Sequence, residues 1–282
     1  MGMMTMTACG SRPDAYEISL EKMQGFPTED AGFLKGVSAL YAGVVDGNLL
    51  IAGGCNFPDT PAADGGKKVF YRDVYIAPLS NDTVFEWKKI GQLPQAAAYG
   101  VTISTEKGLI CVGGTTVTHS LSDVFLLSLQ KDTLHTDTLP SLPVTIDNMA
   151  GALVGHSLYI VGGNVNGVPS PSMYILDLSD LSGGWKKGTD IPGAPRVQPV
   201  CVAQGGKLYV WGGFAPAVGE RQASLSVNGY VYVPETEAWS PVAAPCDAEG
   251  NEISLGGGVG TAWGEGMILC AGGVDKDIFL KA

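Results

Sequence analysis

The chain has 282 residues, 45% of them hydrophobic, and carries a net charge of −11 with a pI near 4.6. That length can bury a sizeable core, and a mean hydropathy of +0.16 belongs to a folded globular chain. The acidic balance, with no basic stripe, excludes nucleic acid and anionic lipid as natural partners, and no apolar run approaches the ~18–20 residues of a membrane span.

Residues 1–13 read as a disordered start or as the remnant of a lipoprotein signal. Met6-Thr7-Ala8-Cys9 is similar to the end of a bacterial lipoprotein signal, where the Cys is lipidated after cleavage, but the basic n-region and most of the apolar h-region are absent. Two readings stand. Cys9 is a chance residue of a cytoplasmic protein, or it is the lipid anchor of a periplasmic or outer-membrane lipoprotein whose true start lies upstream. Residues 14–282 read as one β domain, in which Tyr16 to Pro27 has the pattern of a lone outer strand.

Five Gly-Gly doublets follow, at Gly53-Gly54, Gly113-Gly114, Gly162-Gly163, Gly212-Gly213 and Gly272-Gly273. Each closes an apolar run: LLIAGG, LICVGG, LYIVGG, LYVWGG and ILCAGG. A period near ~50 residues with this doublet predicts an all-β, kelch-type β-propeller with five visible repeats. Each repeat reads as four strands. The first is small and apolar, as in GVSALYAGVV from Gly36 or RVQPVCVAQ from Arg196. A turn such as Asp46-Gly47 or Gly205-Gly206 leads into the second, which ends at the doublet. The third carries an aromatic, as in Asp73-Val74-Tyr75, Asp123-Val124-Phe125 and, in the last repeat, Asp277-Ile278-Phe279. The fourth carries Trp87, Trp185 or Trp239 and ends at a Pro such as Pro94, Pro143 or Pro192. These aromatics are expected to pack between neighbouring blades. The doublet glycines are expected to be structural, because a side chain there would collide or force a strained φ.

Six cysteines form neither a disulfide framework nor a zinc pattern. Cys111, Cys201 and Cys270 fall in apolar strand patterns, where Cys behaves as a small hydrophobe, and Cys55 and Cys246 fall in loops. His119, His135 and His156 do not cluster, so no metal site is expected.

The stretch GGCNFPDTPAADGGKKVFYRDVYI, Gly53 to Ile76, resembles the first-blade signature of the cyclically permuted kelch mutarotases, relatives of the N-acetylneuraminate epimerases. AAAYGVTISTEKGLICVGG, RVQPVCVAQGGKLYVWGGF and GGGVGTAWGEGMILCAGGVDKDIF share that texture. The resemblance implies a six-bladed propeller that interconverts the anomers of N-acetylneuraminate without a cofactor, in an exported bacterial protein. It also implies a Glu and an Arg as acid/base pair within a Gly-Glu-x-Lys-Pro-Gly-x-Arg-Thr stretch. That stretch does not occur in the 282 residues; in the permuted order it would follow Ala282, and six blades are expected if the C-terminus is truncated. A non-catalytic carbohydrate-binding or protein-interaction propeller is the alternative. A sialidase would show Asp boxes, and none is present.

Ligand-side residues should lie in the loops after the doublets and at the entries to the first strands. The long first and fourth loops, Cys55 to Phe70 and Phe214 to Asn228, supply Asn56, Lys67, Lys68, Glu220 and Arg221. The entries supply Asn148, Arg196 and Gln198. A sugar carboxylate calls for a cation with fork geometry, so Arg196 and Arg221 are candidates, and Arg196 could equally bridge adjacent blades. Glu220 beside Arg221 is the candidate acid/base pair. Asn56 is a ligand contact or an Asx turn that shapes its loop, Gln198, Asn148 and Lys67 are candidate sugar contacts, and Arg72 reads as structural.

Overall fold

The strand order expected from the repeats is the order in which the sheets are built. The computed structural model describes residues 30–79, 85–131, 133–217, 219, 222–247 and 249–273. They fall into two compact units, within 30–147 and within 148–273. The readings made for Met1 to Cys9, Tyr16 to Pro27, Glu220, Arg221 and Asp277 to Phe279 lie outside the described residues.

The unit within 30–147 holds two four-stranded antiparallel blades. The first runs Tyr41–Val45, Asn48–Ala52, Asp73–Pro78, Lys88–Gln92, each strand beside the next. The second runs Val101–Thr105, Gly108–Val112, Val124–Gln130, Thr133–Thr138. Asp46 and Gly47 turn the first hairpin with φ of 47° and 73°, the double positive φ that suits a two-residue loop between twisted strands. Gly108–Val112 is buried at every position because both its faces are covered, and Leu109 and Cys111 join Tyr41, Leu50 and Leu127 in one core. Each such side chain removed from water contributes about 1.5–3 kcal/mol.

The unit within 148–273 repeats the plan. Ala150–Val154, Ser157–Val161, Met173–Asp177 and Trp185–Lys187 form one blade. Val200–Gln204, Lys207–Trp211, Gly229–Val233 and Ala238–Val242 form the next. Val259–Trp263 and Met267–Ala271 make a hairpin beyond it.

The aromatics divide between two duties. Trp239 joins blades as expected: its indole N–H donates to the Thr189 carbonyl at 2.9 Å, and Tyr232 lies 5.8 Å from Tyr159 of the preceding blade. Trp87 instead packs with Phe33, Ile51, Tyr71 and Tyr75 around its own blade. Phe33, 1% exposed and ahead of the first blade, packs its ring 5.4 Å from that of Tyr71 and 5.1 Å from that of Tyr75. Cys55, read as a loop residue, is buried on a short strand, with Cys55–Asn56 pairing to Val69–Phe70. The described cysteines are free thiols, and burial pushes those of Cys111 and Cys201 well up.

Three of the doublets are hydrogen-bonded to backbone further along their own unit. Gly54 donates to the Ala97 carbonyl at 2.9 Å, Gly114 to Ile146 at 2.8 Å and Gly163 to Arg196 at 2.9 Å.

On the first blade, Lys89 Nζ sits 2.6 Å from Asp73 Oδ2 and Gln92 Nε2 donates to Oδ1 at 2.8 Å. Burial pushes the Asp73 carboxyl up, but these hydrogen bonds outweigh it and hold it below the usual carboxylate value. A lowered folded-state value stabilises above the unfolded Asp value of about 3.9 and is lost as pH falls through the folded one. Lys89→Met should therefore cost about 0.5–1 kcal/mol in urea unfolding at about pH 6, and its deficit should shrink towards about pH 3. An equal deficit at both pH values would contradict this.

Candidate functional site

Two positions before the first strand of each repeat stands a residue with left-handed backbone: Ala39 (φ 54°), Tyr99 (61°), Asn148 (54°), Gln198 (51°) and Gly257 (74°). For a residue with a Cβ this conformation costs about 1–3 kcal/mol and persists only where its surroundings hold it. Backbone hydrogen bonds hold it here. Within 30–147, Tyr99 N donates to the Ala39 carbonyl at 2.9 Å. Within 148–273, Gln198 N donates to Asn148 at 2.7 Å and Gly257 N to Gln198 at 2.9 Å. Strained, over-determined residues of this kind collect at functional sites.

In the unit within 30–147, the first-blade loop brings polar groups to Tyr99. Lys68 Nζ donates to Tyr99 Oη at 2.9 Å and lies 4.8 Å from the Tyr99 ring centre and 5.4 Å from that of Phe57. Burial raises the Tyr99 phenol, the Lys68 hydrogen bond partly opposes this, and Cys55 raises it further, so Tyr99 is a neutral phenol at pH 7. Asn56 makes no Asx turn. Its Nδ2 donates to the carbonyls of Gly32 and Gly36, both at 2.8 Å, and its Oδ1 accepts from Tyr71 Oη at 2.9 Å. With Lys35 Nζ on the Pro58 carbonyl, Asn56 fastens the loop to the segment before the first blade. Lys67 is exposed, whereas its neighbour Lys68 is half-buried.

In the unit within 148–273, two predicted residues meet: Gln198 Nε2 donates to Asn148 Oδ1 at 2.6 Å. Their amides offer the neutral donor and acceptor groups that sugar hydroxyls take. Arg196 lies one turn of chain away and is 1% exposed. Its Nη1 donates to the carbonyls of Gly212 at 3.2 Å and Asn228 at 3.3 Å, its Nη2 to Asn228 Oδ1 at 3.0 Å, and its guanidinium lies 5.5 Å from the Tyr230 ring centre. Burial pulls it below the ordinary arginine value, yet it stays charged. Among the described residues it bridges no carboxylate between blades; it joins the second and third strands of its own. Arg72 is structural in the same manner, with its Nε and Nη2 on the Leu93 carbonyl at 3.1 and 2.7 Å. Among the described residues, no three His, Cys, Asp or Glu side chains converge on a point that could hold a metal.

Tyr99 and Asn228 are not singled out from sequence. Tyr99 could have been: it stands two residues before a first strand, as Asn148 and Gln198 do.

Tandem four-stranded antiparallel blades, each closed by a Gly-Gly doublet and entered through a left-handed residue, define a kelch-type β-propeller. The chain belongs to the N-acetylneuraminate epimerase family, whose model matches residues 2–136 and 139–281. It is 36% identical over 141 residues to the N-acetylneuraminate epimerase of Yersinia enterocolitica, covering 50% of this chain and 34% of that protein. It is 33% identical over 161 residues to that of Yersinia pestis strain Pestoides F, covering 57% and 38%. It is 36% identical over 145 residues to that of Haemophilus influenzae strain PittEE, covering 50% and 35%. The match thus spans little more than a third of each curated relative. The solved structure of YjhT shares the fold, with a TM-score of 0.67 over 85% of this chain and 78% of that one, at 14% identity.

Proposed function

We propose that this chain acts as a sialic acid mutarotase, interconverting the α and β anomers of N-acetylneuraminate by acid/base opening and closing of the hemiketal ring. The observation that carries this reading is the family match along nearly the whole chain. The chemistry suits the polar groups at the blade entries. Ring opening removes the anomeric hydroxyl proton and delivers one to the ring oxygen, so it moves protons alone and calls for no cofactor. Glu220 and Arg221 are the proposed acid/base pair, and Asn148 and Gln198 the proposed hydroxyl contacts. Export as a periplasmic or outer-membrane lipoprotein anchored at Cys9 is part of the same proposal. Recovery of an unlipidated, cytoplasmic protein after cell fractionation would remove that part alone.

The test is to follow the anomers of freshly dissolved N-acetylneuraminate by proton NMR with and without the chain. The expected result is a faster approach to an unchanged equilibrium ratio, slowed about 10²-fold or more by Glu220→Gln. No acceleration by a folded sample would overturn the enzyme reading. It would favour a binding propeller, the reading supported by the absence of a Gly-Glu-x-Lys-Pro-Gly-x-Arg-Thr stretch from these residues.

A further inference from the structure

We infer that Lys68, held beside Tyr99 and Phe57 within 30–147, is a seat for the carboxylate of a sugar acid, the chemistry for which the sequence offers Arg196 and Arg221. The inference rests on the proposed substrate class and adds to it the group that recognises the acid.

Four observations converge. The first is order. An ammonium on a four-carbon stem is usually mobile, but Lys68 Nζ is fixed by a 2.9 Å hydrogen bond to Tyr99 Oη and lies 5.4 Å from the Phe57 ring centre. The second is unspent capacity. An ammonium carries three donors, Tyr99 takes one, and the ion pairs found among the described residues are Lys89 with Asp73 and Lys187 with Asp190, neither involving Lys68. In a chain of net charge −11, a half-buried cation without a carboxylate partner among the described residues stands out.

The third is the backbone of Tyr99, whose φ of 61° is unusual for an aromatic residue. It carries the phenol that Lys68 Nζ meets at 2.9 Å. The fourth is the state of Arg196. It is buried, with both Nη atoms donating to its own blade, so it presents no fork to an incoming anion. Lys68 binds as a point charge, which suits an exposed carboxylate that must enter and leave. Tyr99 is a positioning residue: it holds the ammonium.

The α-methyl glycoside of N-acetylneuraminate cannot open its ring, so its binding is independent of mutarotation. Calorimetry of this acid and of its methyl ester, on the full chain, reads the carboxylate alone. The wild type should bind the acid about 10-fold tighter than the ester, a factor typical of one charge-assisted contact. Lys68→Met should erase that preference, binding acid and ester alike. Lys68→Arg should keep it, and Tyr99→Phe should weaken it in part by freeing the ammonium. Unchanged thermal unfolding of Lys68→Met and Lys68→Arg verifies that both fold. A preference that survives in Lys68→Met, or its absence in the wild type, overturns the inference. Lys68-dependent binding without anomer acceleration would keep this seat and remove the mutarotase reading. Acceleration with an acid preference indifferent to Lys68 would do the reverse.

Discussion

Gly114→Ala should cost the unit within 30–147 about 3 kcal/mol or more, from left-handed strain of about 1–3 kcal/mol plus overpacking of similar size. Gly114 has a φ of +102°, and a Cβ there would strike the Tyr41 hydroxyl and lie 2.7 Å from the Ala98 carbonyl and 3.1 Å from Gly100 N. Two of these are backbone atoms and cannot swing aside. The residue itself cannot rotate either. Its N–H is bound to the Ile146 carbonyl and its own carbonyl to Leu121 N, each at 2.8 Å. Tyr41 is equally committed: it is 1% exposed, its hydroxyl donates to the Gly113 carbonyl at 2.5 Å, and burial raises its phenol far above the ordinary value. Gly155 is the control, with a φ of +59° and nothing within 4 Å of an added Cβ. Gly155→Ala should cost about 1 kcal/mol, the backbone term alone. Urea unfolding decides: similar midpoints for the two variants would mean that the close contacts of Gly114 with Tyr41, Ala98 and Gly100 carry no cost.

That contrast also explains what the sequence made legible. Periodicity marked the doublets, the strand order within each blade and the Asp46-Gly47 and Gly205-Gly206 turns, because each has a local cause in φ or in burial. It marked Asn148 and Gln198 as entry residues, and these two do meet. It could not separate Lys67 from Lys68. Neighbouring residues on an extended chain point to opposite sides, and which side faces Tyr99 depends on where the loop closes. Nor could it place Asn56, whose partners Gly32 and Gly36 lie more than a loop away and act only once the chain has folded back. Phe33 was missed for the same reason: a single aromatic before the first repeat belongs to no period, yet it completes the cluster around Tyr75.

Arg196 is where reasoning from position and reasoning from packing diverge most, and its substitution should give the second large effect. Position suggests a side chain aimed at the ligand. Packing gives a guanidinium under the blade, carrying three hydrogen bonds and an unpaired, buried Nε. Two opposing quantities set the result. Removing the charge relieves a desolvation penalty of several kcal/mol, and for that reason buried ions can often be replaced by apolar groups at little loss. Removing it also strips the donor from the buried Gly212 carbonyl, at about 1–3 kcal/mol for an acceptor left dry, while the Asn228 carbonyl keeps Gly212 N at 3.4 Å. With no carboxylate among the described residues paired to it, Arg196→Met should lose about 1–3 kcal/mol of stability, mostly from that carbonyl. Arg196→Lys should do no better. It keeps the desolvation penalty, and an ammonium cannot reproduce the fork that spans Gly212 and Asn228 or its stacking on Tyr230. Below their melting points, both variants should bind the locked glycoside with wild-type acid preference. A variant that melts like the wild type but loses the preference would return Arg196 to the ligand and take the carboxylate away from Lys68.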